Sequence, residues 1–123
     1  MRMNRGLWSA VVFVLVAGHV QAADEEVTMK GEVVEVSCYS KRGVEKGTGP
    51  AHVACAIECA KQGKVLGLLT YGDGLFKLIG EFAENNNAKL IPFIGKQVVV
   101  TGTLDRYTDY TVAVKPVKIT VSK

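Results

Sequence analysis

Leu90-Ile91-Pro92-Phe93-Ile94-Gly95-Lys96-Gln97-Val98-Val99-Val100-Thr101-Gly102-Thr103 carries the clearest fold signal in the chain. Its second half predicts a strand over Gln97 to Leu104. Tyr110 to Val121 predicts the next, with Pro116 inside it demanding an edge position or a break. Upstream, Val65 to Thr70 and Leu75 to Ile79 flank Tyr71-Gly72-Asp73-Gly74, whose glycines suit a hairpin loop. Glu81 to Ala88 is polar enough for one helical turn ending at Asn85, Asn86 and Asn87, residues that tolerate left-handed conformations. Val27 to Ser37 predicts a long first strand, with a bulge or bend near Gly31 where the alternation loses parity at Val33-Val34.

Between the first two strands, Ser40 to Pro50 reads as a charged, glycine-bearing loop. Pro50 can open a helix over about Ala51 to Gln62, and Gly63 is placed to stop it. The whole pattern is mainly β: a five-stranded Greek-key barrel with a cysteine-bearing helix inserted between strands 1 and 2. The segment Gly95-Lys96-Gln97-Val98-Val99-Val100-Thr101-Gly102 resembles the fourth strand of OB-fold domains, and the likeness runs from about residue 27 to 121. Those barrels usually carry their helix between strands three and four, so the position of this one is a departure. The chain also resembles small exported bacterial proteins that join such a barrel to a Cys, a His-x2-Cys-x3-Cys run and a following Gly, here Cys38, His52, Cys55, Cys59 and Gly63.

The first 22 residues read as an export signal. Arg2 and Arg5 precede an apolar run from Leu7 to Gly18, and Val20-Gln21-Ala22 supplies small residues for cleavage after Ala22. The run is about twelve residues, short of the roughly twenty that a spanning helix needs. No membrane span is therefore expected in the mature domain, residues 23–123, and its place is the periplasm or the outside of the cell. The full chain has 15 basic and 12 acidic residues in 123. Loss of Met1 to Ala22 removes two arginines and leaves a net charge of +1. A surface so close to neutral gives no electrostatic reason to expect nucleic acid.

The remaining chemistry is concentrated between Cys38 and Cys59. At about 100° per residue His52, Cys55 and Cys59 share a helical arc of roughly 60°, and Cys38 would join them if the helix packs over the barrel mouth. Rise opposes a four-ligand site, because His52 and Cys59 stand about 10.5 Å apart along an ideal helix. His52 can be a ligand only if it lies in an irregular first turn. The three thiols suit Cu(I) or Zn(II). The competing reading is a structural disulfide from Cys38 to Cys55 or Cys59, worth roughly 3 kcal/mol for a loop of about twenty residues. The odd third thiol also leaves a redox role or an intermolecular bridge open.

Haem attachment would want Cys-x-x-Cys-His, and the oxidoreductase Cys-x-x-Cys is absent too, so no enzyme is expected. The expected function is an exported accessory protein that binds a soft metal through Cys38, Cys55, Cys59 and conditionally His52. The alternative is an OB-type adaptor for a protein, peptide or glycan, docking near Tyr39, Tyr107 and Tyr110. Phe76 and Phe93 are expected in the core, and Glu58 on a solvated helix face.

Overall fold

The computed structural model describes residues 25–106 and 111–123, together with Gly18. Apart from Gly18, the expected leader at residues 1–22 lies outside the described residues, as do Tyr107 and Tyr110. Five strands form a closed barrel: β1 (Glu26–Glu35), β2 (Leu66–Thr70), β3 (Gly74–Leu78), β4 (Gln97–Arg106) and β5 (Val112–Val121). Their order around the barrel is β1-β2-β3-β5-β4, with β3 and β5 parallel and every other pair antiparallel. The fold is therefore an OB-like barrel, with a helical insertion between β1 and β2 as expected.

Strand β4 shows how the sequence produces this. Val98, Val100 and Gly102 are buried, and the residues between them are only half-buried. That is the period of two that a strand gives to β-branched residues with one face on a core. The core cluster joins Val33, Leu66, Leu68, Leu78, Leu90, Val98, Val100 and Val114 to Ala56 and Ala60 of the inserted helix. Fully burying such aliphatic side chains contributes about 1.5–3 kcal/mol each. Phe76 and Phe93 pack against this cluster, as expected.

One expectation for the strands needs correction, and the break expected at Pro116 is present. The first strand has no register shift at Gly31. Instead Gly31 pairs with Val98 of β4 on one side and Thr70 of β2 on the other, so it marks the place where β1 passes between neighbours and closes the barrel. The register shift lies between Thr101 and Gly102, opposite the segment around Pro116. Pro116 is not on an edge strand of an open sheet. Pairing of β5 with β3 covers only Ala113 and Val114, so at Pro116 only β4 runs alongside, and there the ladder is already interrupted. A residue without an N–H is tolerated at such a place.

The segment between β1 and β2 is the largest departure. Val36–Gly47 is helix α1, kinked at Gly43 (φ 70°), where the sequence predicts the end of a strand followed by a loop. A 3-10 turn at Pro50–His52 then leads into helix α2, Val53–Lys61. Gly63, at φ 81°, ends α2 where expected, its amide bonded to the Ala60 carbonyl at 3.0 Å. The buried Asn87 side chain reaches the same end of the helix and donates to the carbonyls of Ala60 (3.0 Å) and Lys64 (2.9 Å). Asn85, Asn86 and Asn87 all take positive φ, as their residue type suggests. Among the described residues no helix is long and apolar enough to cross a membrane.

Candidate metal centre

Glu35 is the residue that builds the site. It ends β1, is 1 % exposed, and caps α1 with its own carboxylate. Oε1 accepts from the Ser37 amide (3.1 Å) and hydroxyl (2.9 Å). Oε2 accepts from the Ser37 hydroxyl (2.9 Å) and the Cys38 amide (2.7 Å). A carboxylate satisfies the free amides at a helix start and meets the positive end of the helix dipole. This cap turns the chain into α1 and sets Cys38 in its first turn. Glutamate is not among the preferred capping residues, so the only sequence signal, Glu35 two and three residues before Ser37 and Cys38, is weak.

Helix α2 supplies the other two thiols one turn apart. Its opposite side is anchored by Ala56 and Ala60 in the core, which leaves Cys55 exposed and Cys59 half-buried. The Sγ atoms of Cys38, Cys55 and Cys59 all lie within 4.8 Å of one another. The expected convergence of the three cysteines is therefore present, although Cys38 arrives on a helix and not at a strand end. All three thiols are free, so the expected bridge from Cys38 to Cys55 or Cys59 is not formed.

Electrostatics favours the protonated thiol at Cys38. Its hydrogen bond to the Glu35 carboxylate, then burial, then the Glu35 charge and the neighbouring cysteines push it from 9.0 up to about 12. Thiolate is the form that makes disulfides, so this group is slow to oxidise. For Glu35 itself burial works to raise the carboxyl, but the Cys38 and Ser37 donors outweigh it and hold the group below its usual range.

No protein-family model, curated protein or solved structure matches this chain. The candidate site therefore rests on its geometry alone.

His52 does not join the cysteines, although the condition for its doing so is met. The first turn is irregular, yet His52 is 5 % exposed and lines a small cavity of about 10 Å³ with Glu32, Val33, Val53 and Ile94. Its Nε2 has no hydrogen-bond partner among the described residues. The 3-10 turn rotates the residue off the α-helical arc it would share with Cys55 and Cys59 and into the interior. Glu58 is exposed and paired with Lys61 at 3.5 Å, the solvated helix charge expected.

Of the aromatic surface, Tyr39 is half-buried and lines a groove of about 240 Å³ with Glu32, Val44, Thr48, Leu69 and Tyr71. Tyr71, in the hairpin loop, is 84 % exposed.

A direct test of the Glu35–Cys38 pair uses an aromatic disulfide reagent on the reduced protein at pH 8. Moving a thiol from 9.0 to about 12 removes roughly a thousandfold of its thiolate, and the greater nucleophilicity of the more basic thiolate restores only part of this. Cys38 should react roughly 50-fold more slowly than an unperturbed thiol. Peptide mapping should find Cys55 labelled first, and equal rates at Cys38 and Cys55 would refute the assignment.

Proposed function

We propose that the protein is an exported accessory protein, periplasmic or secreted and not an enzyme, that binds a soft metal ion through Cys38, Cys55 and Cys59. Copper(I) and zinc(II) are the ions that such a donor set suits. The reading is carried by one observation, the three sulfurs within 4.8 Å of one another on two separate helices. It groups the chain with small exported OB-like proteins that carry the same cysteine and histidine pattern, and it uses His52 as a buried residue and not as a ligand.

Binding must deprotonate the thiols, so uptake releases protons and strengthens as pH rises. The expected result is that reduced, anaerobic protein retains about one equivalent of Cu(I) or Zn(II) through gel filtration, whereas the triple variant Cys38→Ser, Cys55→Ser, Cys59→Ser retains none. Uptake of neither ion by the wild-type chain defeats the proposal.

A second reading is supported by the groove between Tyr39 and Tyr71. Its mixture of aromatic, aliphatic and polar lining suits an extracytoplasmic protein, peptide or glycan. A partner kept by the triple cysteine variant but lost on Tyr71→Ala would favour this adaptor function.

A further inference from the structure

Three sulfurs without a fourth ligand restrict what the triad can hold. Among the described residues no His, Asp or Glu joins Cys38, Cys55 and Cys59. Glu35 is committed, both of its oxygens accepting hydrogen bonds from Ser37 and Cys38. His52 is committed to the interior.

A structural zinc ion takes four tetrahedral protein ligands, and three would leave it to recruit a water. Cu(I) is softer, and thiolates alone satisfy it. An ion at the centre of a sulfur triangle with metal–thiolate bonds of about 2.3 Å spaces the sulfurs about 4.0 Å apart, inside the present 4.8 Å limit. The triangle is also asymmetric. Cys38 and Cys59 are half-buried and Cys55 is exposed, so one corner stands open to an incoming ligand.

Resting on the reading of the triad as a soft-metal site, we propose that it holds Cu(I) in three-coordination and hands the ion to an acceptor dithiol by ligand exchange at Cys55. On loading, three thiols lose three protons and one Cu(I) binds, giving a centre of charge −2 with no electron transferred. On hand-over, an acceptor thiolate forms its bond to copper from the solvent side, the copper–sulfur bond to Cys55 breaks, and the Cys55 thiolate takes a proton from water. The second acceptor thiolate then bonds to copper as the bonds to Cys59 and Cys38 break in turn, each freed thiolate takes a proton from water, and the ion leaves two-coordinate on the acceptor dithiol. The partner is therefore a protein or peptide presenting two closely spaced thiolates.

The test loads the reduced protein anaerobically with one equivalent of Cu(I) and measures X-ray absorption at the copper edge. The expected shell is three sulfurs with no nitrogen or oxygen, unchanged by equimolar Zn(II). In Cys55→Ser, a change at an exposed position, the shell should fall to two sulfurs. On mixing with a synthetic peptide carrying a Cys-x-x-Cys dithiol, the transfer rate should rise in proportion to peptide concentration, as an associative exchange requires. A nitrogen or oxygen neighbour, displacement by zinc, a three-sulfur shell in Cys55→Ser, or a rate indifferent to peptide would each overturn this inference. Retention of Zn(II) alone would overturn it while leaving the soft-metal reading intact, whereas retention of neither ion would remove both.

Discussion

Glu35→Ala should destabilise the protein by about 2–4 kcal/mol and lower its melting temperature by roughly 10–25 °C. The carboxylate is 1 % exposed and accepts from three donors, the Ser37 amide, the Ser37 hydroxyl shared between its two oxygens, and the Cys38 amide. Losing a helix cap alone costs about 1 kcal/mol, and stranding part-buried donors that had a charged acceptor adds more. The desolvation cost of the carboxylate disappears with it, which keeps the total below a simple sum of bonds. Glu35→Gln should recover only part of the loss. A carboxamide has one acceptor oxygen, so its NH₂ must face either the Ser37 or the Cys38 amide.

The same group makes the fold acid-sensitive in a defined direction. The folded carboxyl lies below the ordinary 4.5, so its contribution is fully present above that value. As pH falls through the lower folded value, the stabilisation is lost, because the unfolded chain binds the proton more readily. Thermal melts of wild type and Glu35→Ala should therefore converge under acid. A constant gap between them down to pH 2 would rule out the carboxylate as the cause.

Gly102→Ala is the second large effect, at about 3 kcal/mol and roughly 12–24 °C in melting temperature. A Cβ on Gly102 would stand 2.2 Å from the Lys115 carbonyl oxygen and 2.9 Å from the Pro116 Cα. Both obstacles are backbone, so no side-chain rotation can relieve them, and β5 must move away from β4. That pair closes the barrel across the register shift at Thr101/Gly102, and Pro116 cannot donate a replacement hydrogen bond. Thr101→Ala, one residue away, removes a half-buried side chain without any clash and should cost under about 1 kcal/mol. If Gly102→Ala melts within about 2 °C of wild type, the close approach of β4 and β5 has been misassigned.

The strands were legible because their hydrophobic period is local. Val98, Val100 and their neighbours announce a half-buried strand whatever surrounds them, and the Asp-Gly hairpin and Gly63 act through their own backbone preferences. Helix α1 was not legible. Residues 36–42 carry valine, serine and charges in no clear helical stripe, and a glutamate cap only works once burial holds its carboxylate against Ser37 and Cys38. Pro116 signalled a break correctly, but not that a closed barrel would place it opposite Gly102.

For the candidate site, the spacing Cys55-x3-Cys59 was enough to put two thiols on one helical face, since helical pitch is a property of the chain alone. Sequence also placed Cys38 as a candidate third member. It could not say how Cys38 arrives or whether His52 takes part, for both depend on rotations set by residues distant in sequence. The tertiary structure decided these points: Glu35 turns β1 into α1 and brings Cys38 to the triad, while the 3-10 turn and the packing of Val53 and Ala56 carry His52 inward. A local period determines which residues share a face, and only the packing of one element on another determines which faces meet.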